Sequence, residues 1–476
     1  MELAHAHVVV AGLGVSGRAA VDVLTGRGAR VVTVDAQAAD ADACDAAAFV
    51  AAGGLNGVDL VVASPGWAPA NPLLSAALSL GVPVWSEVEL AWQVRVDRKG
   101  GRGPAPWLAV TGTNGKTTTV GMLEAILRAG GENALAVGNV GTPAVLGATD
   151  PELDVLAVEL SSFQLHFTHS MAAEAAAVLN IAPDHLDWHG SLEAYTADKA
   201  RIFARAEVAC IYNAADPVTE RLVRDADVQD GAAAIGFTLG TPRVGQLGLV
   251  EDVLVDRGFA ELRHTHAVEL ATFADLGHLG SPDGEVPPHV CADALAAAAL
   301  ALAHGVQPAA IRNGLRSYAP GAHRLQTVAH AGDVTWVDDS KATNGHAAAA
   351  ALAAFAPGSV VWIAGGLAKG AAFDELIESR RDRLQAVVLI GADQGPLRDA
   401  LDRHAPEVPV VAIDPVDTGT VMTRAVEEAR RLASAAEGAV TVLLAPACAS
   451  MDQFASYAER GESFAAAARA LAPSVG

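Results

Sequence analysis

The stretch Thr111-Gly-Thr-Asn-Gly-Lys-Thr-Thr118 restricts this chain more than any other. The apolar run Trp107-Leu-Ala-Val110 precedes it and reads as a short buried strand. Val120–Arg128 follows, with apolar residues at helical spacing. A glycine-rich turn between strand and helix points backbone N–H groups at the helix N-terminus, where the dipole favours an anion. Lys116 adds positive charge for terminal phosphates and Thr117 a hydroxyl for Mg²⁺, while Gly112, Thr113, Asn114, Gly115 and Thr118 complete the loop. The general phosphate-loop pattern has a glycine five residues before Gly115. This chain has Val110 there, so the loop is a variant. An ordinary Gly/Asn turn is the competing reading; the Gly-Lys-Thr ending at a strand–helix junction argues against it.

A length of 476 residues suggests about three domains at ~150 residues each. Apolar residues make up 51% of the chain, ample for buried cores. The net charge of −23 argues against nucleic acid and anionic membrane surfaces as partners. An anionic substrate must then be held by local basic groups. Lysine is scarce, confined to Lys99, Lys116, Lys199, Lys341 and Lys369, so each lysine draws notice. Four scattered cysteines without a CxxC pair suit a reducing cytoplasm and no metal cluster. The N-terminus has neither a basic n-region nor a cleavable h-region, and no apolar run suffices for a membrane span.

In chain order, His7–Ala11, Gly12-Leu-Gly-Val-Ser-Gly17, Arg18–Thr25 and Ala29–Asp35 form a dinucleotide-type βαβ unit. Taken alone it reads as an NAD site with Asp35 on the ribose; the physics says only that a diphosphate can sit at this helix N-terminus. Leu60–Ala63 runs into Ser64-Pro-Gly66, a turn at the carboxyl edge of the sheet. The polar, glycine-rich segment 98–104 ends the first domain. In the second, Val155–Glu159 is an apolar strand ending in a carboxylate, where a Mg²⁺ ligand belongs beside a phosphate loop. A strand-end cap is the competing reading. Asp184, His185 and Asp187 crowd the loop after the strand Ala176–Ile181, which favours a ligand role for His185 over a structural one. The helix Ser191–Ala204 carries Lys199, and short strands between Arg205 and Val286 suggest a peripheral sheet. A third βα series starts near Pro320. Its strands carry polar residues at their carboxyl ends, Asp338–Asn344, Gly365–Lys369 and Ala445–Ser450 among them, so these converge on one sheet edge.

Together these segments resemble the Mur ligase family. The resemblance rests on Thr111–Thr118, Glu159–Gln164, Asp184-His185, Lys199, His323-Arg324, Asp339–Asn344, Gly365–Lys369, Pro446–Phe454, Arg460-Gly461 and Phe464, in the family's order over nearly the whole chain. It implies an α/β fold of three domains: N-terminal Rossmann-like (1–103), central P-loop ATPase-like with a parallel sheet (104–319) and C-terminal Rossmann-like (320–476). It implies a cytoplasmic monomer that uses ATP to phosphorylate the carboxylate of UDP-N-acetylmuramoyl-L-alanine. The acyl phosphate then passes to the amine of D-glutamate, in peptidoglycan precursor synthesis. Positioning and charge stabilisation carry such chemistry.

By the same resemblance, Lys116 and the loop amides hold the phosphates. Thr117 and Glu159 hold one Mg²⁺, and His185 with a carbamylated Lys199 holds a second. Arg324 and Asp339 meet the nucleotide. Lys341, Thr343, Lys369, Ser450 and Tyr457 line the D-glutamate site. Gly14, Val15, Asp35, Ser64, Gly66, Asn139 and Ser161 meet the UDP-substrate. The competing reading of Lys199 is a surface lysine paired with Asp198 or Glu193. The chain departs from the family at the adenine pocket, where His-Asn-x-x-Asn is replaced by His289-Val-Cys-Ala-Asp293 after a longer Gly280–Pro288 loop. Val290 and Asp293 therefore leave the adenine contacts open. Three alternatives remain at this point: another amide ligase of the family, a nucleotide-binding regulator without ligase activity, and an NAD enzyme read from Gly12–Asp35.

Overall fold

The computed structural model describes residues 2–280, 286–415, 419–435 and 438–471. Most of the Gly280–Pro288 loop, residues 281–285, lies outside them. Among the described residues, alternating strands and helices build three sheets. The first has four strands, β1 (His7–Ala11), β2 (Arg30–Val34), β3 (Leu60–Ala63) and β4 (Val84–Ser86), all parallel in the order β2-β1-β3-β4.

The second sheet holds the strands β5 (Trp107–Thr111), β6 (Ala134–Gly138), β7 (Val155–Glu159), β8 (Ala175–Val178) and β9 (Ala209–Asn213), followed by β10 (Ala233–Phe237), β11 (Gln246–Val250), β12 (Val253–Asp256) and β13 (Val268–Thr272). Its order is β13-β12-β11-β10-β9-β8-β5-β7-β6. The peripheral sheet expected between Arg205 and Val286 is thus the outer flank of this one sheet. β10 pairs parallel with β9, β11 continues parallel, and only β12 and β13 turn antiparallel. β5, β7 and β8 are buried along their whole length, as the near-continuous apolar runs of a sheet covered on both faces require. The helix Pro288–Ala303 is buried on almost all sides, which its alanines allow.

The third sheet comprises β14 (Gln326–Ala331), β15 (Val334–Asp338), β16 (Val360–Gly365), β17 (Leu384–Ile390), β18 (Val410–Ala412) and β19 (Val440–Leu444), in the order β14-β15-β19-β16-β17-β18. Only the edge strand β14 is antiparallel, and sequence reading did not find it: polar and apolar residues mix along it and none is fully buried. The chain divides into two compact units. One contains 1–278 and 290–318, hence the first two sheets. The other contains 279–289 and 319–476, hence the third. Among the described residues no helix is long and apolar enough to cross a membrane.

Within the first unit the helix Glu87–Gln93 packs on the helix Ala144–Ala148. Glu87 is buried between them. One carboxylate oxygen accepts the amide of Val145 at 2.6 Å and the other has no hydrogen-bond partner. Burial pushes this carboxyl up to about 7. The folded state therefore binds the proton more tightly than the unfolded chain, and the contribution of this group to stability falls as pH rises from the ordinary carboxylate range to about 7. Glu87→Gln removes the ionisation. At pH 8 the variant is expected to be more stable than the parent by about 3 kcal/mol, and by under about 1 kcal/mol at pH 5. Urea denaturation of both proteins at the two pH values measures the gap; a gap independent of pH would refute the assignment.

Candidate active site

At the end of β1, Gly14 caps the helix Val15–Gly26, and Val15 stands 72% exposed at its start. Gly17 has to be glycine: a Cβ there would lie 1.8 Å from the Gly12 carbonyl oxygen. The Ser64 hydroxyl donates to that same carbonyl at 2.9 Å, which ties the β3 turn, with the exposed Gly66, to the glycine loop. Asp35 accepts the amides of Leu13, Gln37 and Ala38 at 2.6, 2.7 and 3.1 Å, and these bonds hold its carboxyl below the usual range. One oxygen therefore braces the glycine loop through Leu13, and the other caps the turn that follows β2.

The phosphate loop leaves β5 and enters the helix Lys116–Ala129 at Gly115. Gly115 adopts φ +85°, and a Cβ would lie 2.3 Å from the Asp293 carboxylate. Asp293 thus sits against the loop itself. The loop is braced from several sides. Asn114 N–H donates to the Asn180 side chain at 2.9 Å, and Asn180 returns a bond to the Asn114 carbonyl. The Thr113 hydroxyl accepts the Ala182 amide and meets the Tyr195 hydroxyl, both at 2.9 Å. The Lys116 ammonium donates to the carbonyls of Gly112 and Thr113, each at 2.9 Å. Thr117 and Thr118 lie half-buried in the first helical turn.

Glu159 ends β7, is 3% exposed and accepts the Asn139 side-chain amide at 2.9 Å. Ser161 caps the helix Ser162–His166 in a reciprocal box with Gln164. His185 caps the helix Leu186–His189 in a left-handed conformation, 3.5 Å from the Asp184 carboxylate and edge-on to Phe163. Lys199, on the helix Leu192–Ala200, is 2% exposed. Its amine donates to the Gly112 carbonyl at 2.9 Å and the Thr111 hydroxyl at 3.3 Å, and lies over the Tyr195 ring. It is no surface lysine. Burial, and the neighbouring Lys116 charge, lower its pKa well below the ordinary value, though Asp184, Glu159 and Asp198 oppose this. Asp198 itself faces inward. Burial would raise it, but hydrogen bonds from His166 and His189 outweigh that and hold it at about 2. Among the described residues no three His, Cys, Asp or Glu side chains converge as a ready metal centre.

In the second unit, residues from three strand ends gather at the carboxyl edge. His323 bonds Asp338 at 2.7 Å, Asp339 accepts the Leu325 amide at 3.2 Å, and Arg324 lies between these two segments in sequence. Lys341 stands 5.2 Å over the Tyr457 ring. Ser450 is buried, Thr343 half-buried, and Lys369 projects from an exposed turn. Arg460 is fully buried beneath them. Its guanidinium donates to the Ser340 hydroxyl and carbonyl at 3.0 and 2.8 Å and to the Cys448 carbonyl at 3.1 Å. Burial lowers it to about 10.

Sequence reasoning missed Asn180, the Asp198 cluster and the role of Arg460. For Asn180 a signal existed, a lone amide at the end of an apolar strand.

A braced phosphate loop, a strand-end acid and a buried lysine define a nucleotide-using α/β enzyme. Three family models agree on its class: a Mur ligase MurD-like N-terminal domain over residues 6–86, a Mur ligase middle domain over 110–246 and a Mur ligase glutamate ligase domain over 323–448. The chain belongs to the Mur ligase family. Its relatives include the UDP-N-acetylmuramoylalanine–D-glutamate ligases of Streptomyces avermitilis, 58% identical over 98% of both chains, and Thermobifida fusca, 51% identical over 99% of this chain and 100% of that one. In fold it resembles the UDP-N-acetylmuramate–alanine ligase of Thermotoga maritima, with TM-score 0.57 at 16% identity over 98% of this chain and 100% of that one. A MurF ligase of the same organism, solved with ADP, gives 0.54 at 16% identity over 93% and 94%.

Proposed function

We propose that this chain is an ATP-dependent ligase that joins D-glutamate to UDP-N-acetylmuramoyl-L-alanine, releasing ADP and phosphate, in peptidoglycan precursor synthesis. The observation that carries the reading is the 58% identity, over 98% of both chains, to a D-glutamate ligase. The geometry supports it: a loop of amides and a lysine for phosphates, with a buried acid and a buried lysine beside it.

In this reading residues 1–103 take the UDP-substrate, 104–319 bind ATP, and 320–476 serve the amino acid and the nucleotide. The carboxylate oxygen of the UDP-substrate attacks the terminal phosphorus of ATP, and ADP leaves. The amine of D-glutamate then attacks the acyl carbon, and phosphate departs from a tetrahedral intermediate. Lys116 and the loop amides steady the charge that builds on the phosphate oxygens. Gly14, Val15, Asp35, Ser64, Gly66, Asn139 and Ser161 orient the UDP-substrate, and Lys341, Thr343, Lys369, Ser450 and Tyr457 the D-glutamate. Arg324 and Asp339 are assigned to the nucleotide. Thr117 and Glu159 would hold one Mg²⁺, and His185 and carbamylated Lys199 another. Such ions supply neutralisation of the phosphate charge. The depressed pKa of Lys199 suits the carbamate, because only a neutral amine adds to CO₂, forming an N–C bond and releasing a proton. The reading includes a monomer in the cytoplasm.

Phosphate release with ATP, the UDP-substrate and a panel of amino acids tests the proposal. D-glutamate alone is expected to give turnover. Turnover with L-lysine or diaminopimelate instead would assign another member of the family, and ATP binding without product a regulator.

A further inference from the structure

Asp198 precedes Lys199 in the chain, and the reaction as proposed gives it no part. Its carboxylate nonetheless collects donors from the elements around the phosphate loop. His166 Nδ1 lies 2.9 Å away, His189 Nδ1 2.9 Å and Arg201 Nε 3.3 Å. His189 continues the chain through Nε2 to the Ser162 hydroxyl at 2.9 Å. With Nδ1–H donated to the carboxylate, Nε2 is left to accept the Ser162 proton.

The origin of these donors is informative. His166 closes the helix Ser162–His166, which begins just after Glu159. His189 closes the helix Leu186–His189, which is capped by His185. Asp198 lies on the helix that bears Lys199. Such short helices do not hold a fixed direction by themselves. Here the ends of two of them meet one carboxylate on the third. Phe163 packs against the rings of both His185 and His189, at 4.7 and 5.5 Å, and so touches two of the same elements. Because Lys199 is enclosed, the backbone position of its helix decides where its amine arrives.

We infer that Asp198, with His166, His189 and Ser162, is a positioning cluster that fixes Lys199 relative to Glu159 and His185. The inference rests on the reading of those three residues as the cation-side groups of the ligase. The cluster touches neither substrate nor nucleotide in that reading. It acts through the placement of the lysine, and small misplacements of such groups are costly.

The test uses the full-length enzyme and two substitutions, Asp198→Asn and His166→Ala, the second at a partly exposed rim position that spares the fold if the first does not. Steady-state kinetics, thermal melting and carbon-13 NMR with labelled bicarbonate are read in parallel, with Lys199→Ala marking the carbamate signal. The expected result for Asp198→Asn is a fall in kcat of about tenfold or more, with KM for the UDP-substrate and D-glutamate within about twofold. The carbamate signal weakens at equal bicarbonate, and melting shifts little. His166→Ala moves the same way to a smaller extent. Parental kcat and carbamate signal in both variants, with only a lowered melting temperature, would overturn the inference and leave a structural anchor. A parent enzyme without a carbamate signal removes the carbamate reading alone; the kcat and KM split then judges the cluster. A parent that does not ligate D-glutamate removes the functional reading, and the carbamate signal judges the cluster instead.

Discussion

Lys116→Ala is expected to abolish ATP-dependent acyl phosphate formation, lowering kcat by about a thousandfold or more, while the UDP-substrate still binds. The lysine begins the helix after β5, whereas Gly14, Asp35 and Ser64 belong to loops of the four-stranded sheet. Removing the ammonium also takes a donor from the Gly112 and Thr113 carbonyls, so a loss of stability of about 1–3 kcal/mol accompanies the loss of activity. Phosphate release and calorimetric titration with UDP-N-acetylmuramoyl-L-alanine separate the two effects. Equal loss of turnover and UDP-substrate binding would refute the division of labour.

Lys199→Ala is expected to be nearly as inactive, but for a different reason and with a different remedy. The amine lies enclosed against the phosphate loop, where an ammonium is disfavoured by burial and by Lys116. The proposed carbamate turns this position from a repelled cation into an anion with two oxygen donors. The alanine variant should lose about a thousandfold in kcat and recover part of it with acetate or propionate, which can occupy the vacated oxygen positions. Full activity of the variant in CO₂-depleted buffer would end the carbamate reading. Lost activity that no short carboxylate restores would point instead to the missing bond to the Gly112 carbonyl.

The phosphate loop was legible in the sequence because its chemistry is local: glycines where the backbone must turn, a lysine and threonines in the first helical turn. The βα alternation was legible for the same reason, since a buried parallel strand is a continuous apolar run. The strands from Ala233 to Thr272 were harder. They are short, and what joins them to the main sheet is pairing with β9, which no local pattern encodes. The burial of Lys199 was not readable either. It sits between Asp198 and Ala200 in a helix of nearly even polarity, so lysine scarcity and the family resemblance drew notice to it while no local pattern showed its burial. His166 and Asp198 meet across 32 residues of sequence, so their pairing is a product of the fold alone. Asp293 stood out as a departure from the family, but its place against Gly115 emerged only in three dimensions.

Arg460 reads locally as one more charge on a polar helix, Glu459-Arg460-Gly461-Glu462. Its hydrogen bonds go to a hydroxyl and two carbonyls, and among the described residues no carboxylate forms an ion pair with it. At about 10 it keeps its proton at neutral pH. In a protein of net charge −23 it is therefore a permanent positive source, shielded from ions by the loops above it. Lys369, in its exposed turn, exerts an attraction that dissolved salt erodes. Among the cations at this edge, Lys369 and Arg460 thus differ in character. The attraction of the exposed one for any anion would fade as ionic strength rises, and that of the buried one would persist.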